Sequence, residues 1–154
     1  MNTFNLRIIA CDKVFYEGPC EILIFPGYDG QMAVMANHEA MTTAIEIGEI
    51  KFRVPGSSEY RIAVVSDGLM CVGHNQVVIV VYSAERPEDI DKFRAQAALE
   101  RAREQLQQKQ SIMEYHISKA SLARAMARLS SASHSNRSFN DPQQMHMWRR
   151  IKQN

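Results

Sequence analysis

The 154-residue chain is 45% hydrophobic and carries a formal net charge of +1, a composition that supports one packed domain with a small appendage. No apolar run approaches the roughly 18 residues that a membrane helix needs, and no basic segment followed by an apolar one opens the chain as a leader. Cys11, Cys20 and Cys71 are odd in number, widely spaced and free of any CxxC pair, so a disulfide scaffold or zinc site is not expected and reduced structural thiols in a cytoplasmic protein are.

The small net charge hides a gradient. Residues 1–84 carry nine acids against five bases, residues 85–129 seven against nine, and residues 130–154 one against four. The C-terminal half is thus suited to an acidic surface or to nucleotide phosphates. The basic excess is too dilute for a nucleic-acid protein.

In chain order, Phe4, Leu6 and Ile8 alternate with their neighbours as a half-buried strand does. Val14-Phe15-Tyr16 follows, and Glu17-Gly18-Pro19 is expected to turn the chain. Ile22, Ile24 and Phe25 lead into Pro26-Gly27-Tyr28-Asp29-Gly30, a strong turn signal. Met32 to Met35 is a short apolar run. Ile50, Phe52 and Val54 alternate up to Pro55-Gly56, where a hairpin is expected, and Tyr60 to Val65 returns. Ser66-Asp67-Gly68 reads as a further hairpin turn. Val77 to Tyr82 is a β-branched run expected of a strand buried on both faces. Nine or ten short strands at near-regular spacing indicate a β-sandwich or flattened barrel.

After Pro87 the period changes. Pro87 suits the first turn of a helix, and Glu88, Asp89 and Asp91 would favour its N-terminus. Ala95, Ala98, Ala102 and Leu106 form a narrow face. The polar stretch Gln107 to Ser111 can turn the chain. A second helix is expected from about Ile112 to Leu129, with Met113, Ile117, Ala120 and Ala127 on its packed face. Alanine seams bury little apolar area, so the hairpin is expected to be held weakly. Residues 130–154 have linker composition, and Met145, Met147, Trp148, Arg149, Arg150 and Ile151 make a short amphipathic cluster. That cluster is either a poorly ordered tail or a docking peptide for an acidic partner or membrane surface.

No GxSxG, HExxH, GxxxxGKS or GxGxxG motif is present. The five histidines have no ligand spacing, and His38 in Ala36-Asn37-His38-Glu39 reads as a turn residue. Arg94 and Arg101 share one face of the first helix, and Arg124 and Arg128 one face of the second. In a hairpin the two pairs can converge on phosphate oxygens. Asp91 can accept from a ribose or an adenine amine, or fix an arginine. Alternatively, Asp91–Arg94 and Glu100–Arg103 are ordinary surface pairs.

Phe15-Tyr16-Glu17-Gly18, Pro26-Gly27, Gly30, His38, Gly48, Ser66 with Gly68, Ala84-Glu85-Arg86, Ile90-Asp91, Arg94-Ala95 and Ala123 to Arg128 occur in an order that is quite specific. In these features residues 3–129 resemble the epsilon subunit of bacterial F-type ATP synthases. The resemblance implies an α+β fold, a ten-stranded N-terminal β-sandwich followed by an antiparallel two-helix hairpin. Its boundaries would be 1–84 for the sandwich, 85–131 for the hairpin and 132–154 for a tail with no family counterpart. It implies a non-catalytic central-stalk subunit whose sandwich binds the gamma subunit and the membrane rotor c-ring, with Gly30, Met32 and His38 in that contact. The hairpin would switch between a folded state and an extended state that reaches the alpha/beta catalytic hexamer and inhibits ATP hydrolysis. The family's nucleotide pattern is met by Ile90, Asp91, Arg94 and Ala95, with Glu85, Arg101, Arg124 and Arg128 as further nucleotide-binding positions, so ATP with Mg²⁺ is the implied regulatory ligand. The setting implied is the cytoplasmic side of a bacterial plasma membrane, with no nucleic-acid partner. The chain departs from the family between Gly30 and Thr42, where a glycine and two prolines are replaced, and around Cys71-Val72-Gly73-His74. A free-standing ATP-sensing module that uses the hairpin as a clamp is the other reading.

Overall fold

The computed structural model describes residues 2–107 and 112–139. Ten strands run in the order β1 (Phe4–Ile9), β2 (Val14–Cys20), β3 (Ile22–Gly27), β4 (Gly30–Met35), β5 (Met41–Ile45), β6 (Gly48–Arg53), β7 (Arg61–Val65), β8 (Gly68–Gly73), β9 (Gln76–Val81) and β10 (Ala84–Glu85). One 3₁₀ turn, Pro87–Asp89, precedes the helices α1 (Lys92–Gln107) and α2 (Ile112–Phe139). The strands form two five-stranded sheets, ordered β2-β1-β9-β8-β5 and β10-β7-β6-β3-β4, with β1 parallel to β9. A β-sandwich followed by two packed helices is therefore the architecture, as the sequence leads one to expect.

The alternation of apolar residues explains the sandwich. Leu6 and Ile8, Leu23 and Phe25, Ile50 and Phe52, Met70, and Val77 and Ile79 are all buried in one cluster between the sheets, the usual core of two facing sheets. Two-residue turns join neighbouring strands where the backbone allows it. His74 and Asn75 both adopt positive φ, 51° and 57°, between β8 and β9, the geometry of a type I′ hairpin.

Three strand expectations are corrected. Glu17-Gly18-Pro19 is not a turn but the second half of β2, with Pro19 opposite Asn5. A proline is tolerated there because β2 lies at the edge of its sheet. The chain bends instead at Glu21, whose buried carboxylate accepts from Arg53 Nε at 2.9 Å. The run Val77 to Tyr82 is not buried on both faces: Val77, Ile79 and Val81 point inward, while Val80 is 52% exposed. α2 packs on the opposite sheet, against β6 and β7, and α1 packs on α2, so nothing among the described residues covers this strand's outer side.

Ser66-Asp67-Gly68 is not a hairpin either. It carries the chain from β7 in one sheet to β8 in the other. Ser66 is buried there, and its Oγ accepts from the Ser83 N–H at 2.9 Å. Gly68 is required at this crossing because an added Cβ would meet the Val80 carbonyl oxygen at 2.2 Å.

The helical expectations shift in two places. Pro87 starts the 3₁₀ turn rather than α1, so Glu88 and Asp89 lie outside the α1 first turn. Asp91 caps α1, its Oδ1 accepting from the N–H of Phe93 at 2.9 Å and of Arg94 at 3.2 Å. On α1, Ala95, Leu99 and Ala102 are buried, close to the expected face. On α2 the face is different: Met113 and Ile117 are 75% and 60% exposed, and Ser118, Ala125, Ser131 and Ala132 are buried instead. The small residues of α1 admit a close approach only by an equally small seam, and Ser118, Ala125 and Ala132 supply one at seven-residue spacing. Past Leu129, where a helix end is expected, α2 continues to Phe139. Of the turn expected from Gln107 to Ser111, Gln107 is still the last residue of α1; the remainder, 108–111, and the cluster from Met145 to Ile151 lie outside the described residues.

Candidate functional site

Where the sandwich hands over to the helices, a cleft of about 300 Å³ opens. Its floor is Glu85 at the end of β10 and the link after it, with Asp89, Ile90 and Asp91; α1 contributes Arg94, Ala95, Ala98 and Arg101; α2 contributes Ala125 and Arg128. Seven residues singled out from the sequence thus line one cavity: Glu85, Ile90, Asp91, Arg94, Ala95, Arg101 and Arg128. The volume is at the lower end of what small-molecule sites use.

Local structure explains how each side chain arrives. The extended link at Arg86 and Ile90 on either side of the 3₁₀ turn swings Asp91 to the start of α1. Capping by Asp91 then fixes the first turn, and Arg94 and Arg101, two turns apart, face the cleft together. Arg101 Nε donates to the Ala97 carbonyl at 3.2 Å, which holds its stem along the helix. The alanines at 95, 98 and 125 keep the walls low enough for the cavity to exist.

Arg128 grips Glu85 side-on. Its Nε donates to Oε2 at 2.7 Å and its Nη2 to Oε1 at 2.9 Å, the two-pronged arrangement in which guanidinium and carboxylate fit best. Among the described residues, Arg94 and Arg101 form no ion pair. The two ordinary surface pairs do not form. Asp91 is spent on backbone N–H groups, and Glu100 accepts from Gln96 at 3.2 Å. Three arginines face three acids, but one acid is held by Arg128 and one by the helix N-terminus. Arg94 and Arg101 are therefore the cations left to meet an incoming anion.

Arg124 stands apart. It lines a smaller neighbouring crevice with Ser66, Ser83, Glu85 and Arg128, and donates to Ser121 Oγ at 3.1 Å. The three residues expected at the rotor contact are not brought together. Gly30 opens β4 and Met32 follows it at the edge of its sheet, whereas His38 lies beyond the far end of that strand. There the His38 N–H closes a turn onto the Met35 carbonyl at 3.3 Å, and Nδ1 donates to the Glu39 carbonyl at 2.8 Å.

Sequence reasoning missed Ala125 as a wall of the cleft and the 43-residue link from Glu85 to Arg128. The residues 118, 125 and 132 carry the heptad signal that would have found the first. Nothing local encodes the second.

Known proteins share the sequence family and the fold. Residues 3–87 match the model of the ATP synthase delta/epsilon chain β-sandwich domain, and residues 88–133 that of its long α-helix domain. An ATP synthase epsilon chain of Ruminiclostridium cellulolyticum is 43% identical over 130 residues, 84% of this chain and 96% of the relative. That of Caldanaerobacter subterraneus subsp. tengcongensis is 40% identical over 132 residues, 85% of this chain and 94% of the relative. Among solved structures, a chain of the Euglena gracilis mitochondrial ATP synthase OSCP/F1/c-ring assembly superposes with a TM-score of 0.75 at 23% identity, covering 87% of this chain and 83% of that one. A chain of the Tetrahymena thermophila mitochondrial ATP synthase central stalk and c-ring superposes with a TM-score of 0.61 at 12% identity, covering 83% and 95%. These two establish the fold, and the sequence relatives establish descent: the chain belongs to the ATP synthase delta/epsilon family, as a non-catalytic subunit rather than an enzyme.

Proposed function

We propose that the chain is the epsilon-type subunit of a bacterial F-type ATP synthase, seated in the central stalk, where it couples ion translocation to rotary ATP synthesis. Its hairpin restrains ATP hydrolysis when it leaves the sandwich and reaches the alpha/beta hexamer, and ATP in the cleft favours the docked state. The observation that carries this reading is the cleft itself: Arg94, Arg101 and Arg128 converge between two helices and the sandwich, so a ligand there touches all three bodies that must move apart.

The residues fit a nucleoside triphosphate. Arg94 and Arg101 would take phosphate oxygens, Arg128 would stand beside them, and Mg²⁺ would arrive with the phosphates. Asp91 caps through Oδ1, and its Oδ2 would take a ribose hydroxyl or an adenine amine. Arg124 would join only by leaving Ser121. The ligand's role is regulatory: it supplies charge that draws the helices together, and no bond is made or broken in it. The sandwich would meet the gamma subunit and the c-ring. The outer side of the β1-β9-β8 sheet, with Leu69, Val80 and Tyr82 exposed, offers an apolar surface of the kind such contacts need. Association with the bacterial membrane on its cytoplasmic side would then be peripheral, through the complex. No described helix is long and apolar enough to cross a membrane.

The test is reconstitution. Added to an epsilon-depleted bacterial catalytic sector with its gamma subunit, the full chain should bind it and lower ATP hydrolysis. Calorimetry of the chain with MgATP should show binding that Arg94→Ala and Arg101→Ala each weaken. Binding to ATP but not to the gamma-containing sector would make it a free-standing sensor instead. Binding to the sector without ATP affinity would remove the nucleotide from its regulation.

A further inference from the structure

The second sheet is covered over only part of its outer face. Glu85 of β10 and Glu49 of β6 both stand opposite Val64 of β7, one from each side. Arg128 of α2 meets Glu85 and, three residues on, Ser131 meets Glu49. The helix therefore advances across the sheet in the order β10, β7, β6, and it packs on β6 and β7. Val64 beneath it is buried. β3 and β4 come next in the same sheet.

The face that lies ahead is apolar. Ile22 and Ile24 of β3 stand beside Arg53 and Lys51 of β6 on one side and beside Met35 and Ala33 of β4 on the other. Ile62 of β7 stands beside Lys51. Residues opposite one another on neighbouring strands share a sheet face. Leu23 and Phe25 enter the core, so Ile22 and Ile24 point outward. Met35 is 59% exposed, Ala33 is exposed, and the three isoleucines are half-buried. Tyr60, whose ring the Arg53 guanidinium overlies at 5.6 Å, borders the same face.

The two cations on this face already have acids. Lys51 Nζ lies 3.7 Å from Glu49 Oε2, and Arg53 Nε donates to Glu21 Oε2 at 2.9 Å. Glu21 is 7% exposed, and its other oxygen, Oε1, has no donor among the described residues. A buried carboxylate oxygen without a donor is rare. It points to a donor that arrives from beyond those residues, at the edge of a bare apolar face.

We propose that residues 140–154 of the same chain lie on this face, with Met145, Met147, Trp148 and Ile151 against Ile22, Ile24, Ala33 and Met35, and with a base among Arg149, Arg150 and Lys152 turned toward Glu21. Three arguments choose this occupant. α2 runs from Ser131 to Phe139, about 12 Å of helix, which matches the roughly 10 Å of two strand spacings from β6 to β4. The segment after Phe139 thus starts level with the bare face. That segment holds four large apolar side chains and three bases against one acid, which suits an apolar surface ending in an unmet carboxylate oxygen. Attachment also makes the contact intramolecular, so a patch too small to hold a separate partner suffices. The seat is independent of the cleft and of any nucleotide in it. It adds a fastening to α2, whose own alanine and serine seam binds weakly.

Trp148 is the only tryptophan of the chain, so its fluorescence reports the segment directly. In dilute full chain its emission should be blue-shifted and poorly quenched by acrylamide. Met35→Glu and Ala33→Glu, at exposed positions of an edge strand, should each shift the emission to the red and raise quenching several-fold. Leu69→Glu, exposed on the other sheet, should change neither. Deleting residues 140–154 should speed amide exchange in β4 and in the last turns of α2 while β1 keeps its protection. Emission typical of tryptophan in water, or a blue shift that both β4 variants leave unchanged, overturns the proposal. So does a blue shift that appears only as the chain is concentrated, which would seat the segment on a second copy. One that appears only with vesicles of anionic lipid overturns it as well, and would make the segment a membrane contact.

Discussion

Ala95 of α1 and Ala125 of α2 form opposite walls of one cleft, and each is almost fully buried. The cavity exists because neither wall projects beyond a methyl group. Ala125→Leu should fill the seam and push the helices apart. Overpacking of this kind costs roughly 1–3 kcal/mol, which here falls on hairpin docking rather than on the sandwich. Amide exchange in both helices should accelerate while the strand amides keep their protection, and MgATP binding should be lost. Retained binding would place the ligand away from the seam.

Gly68 tolerates no side chain. The clash of a new Cβ with the Val80 carbonyl is against backbone in the middle of a sheet, where nothing can swing aside. Gly68→Ala should lower the denaturant midpoint of the sandwich by the equivalent of about 3 kcal/mol or more. A midpoint within experimental error of the wild type would show that β8 can move away from β9.

Asp91 caps α1 and is proposed to meet the ligand, and the two roles separate in solution. As the cap of α1 it contributes about 1 kcal/mol to that helix. Asp91→Asn keeps a capping oxygen, whereas Asp91→Ala does not. Circular dichroism should show lower helix content for the alanine variant and near wild-type content for asparagine. If both variants lose MgATP binding, the carboxylate itself meets the ligand; if only alanine does, its role is to set the first turn and Arg94.

Cys20 differs from the other thiols. Burial pushes it up to about 11 from an ordinary value of 9.0, against the weaker opposing effect of backbone hydrogen bonds. Cys11 and Cys71 are exposed. At pH 8 a thiol reagent should label two cysteines of the folded chain quickly, and the third only on unfolding. Since the folded thiol ionises later than the unfolded one, its contribution to stability is intact below pH 9 and is lost as pH rises toward 11. The urea midpoint should fall over that interval, and Cys20→Ala should flatten the fall. An equal fall in Cys20→Ala would assign the alkaline loss to another group.

The architecture was legible because its signals are local. Alternation at Phe4 to Ile8 and Ile50 to Phe52, the turn Pro26 to Gly30, and the change of period after Pro87 each act over a few residues. Glu17-Gly18-Pro19 misled because an edge strand accepts what a central one rejects, and edge position is set by the whole sheet. Val77 to Val81 misled for the converse reason: composition cannot say whether a helix covers the second face.

Sequence by itself determined most of the strands, the two helices and the spacing of the arginines along them, since periodicity and spacing are properties of the chain. The pattern at Ile90, Asp91, Arg94 and Ala95 was likewise visible in one dimension. Tertiary structure alone decided which face of α2 is inside, because small residues win where two backbones must approach closely and the methionines are left to solvent. It also decided that Arg128 meets Glu85 while Arg124 turns to Ser121. Contacts across 43 residues depend on where the sandwich lays its acidic row beneath the helix, and no short stretch of sequence carries that position.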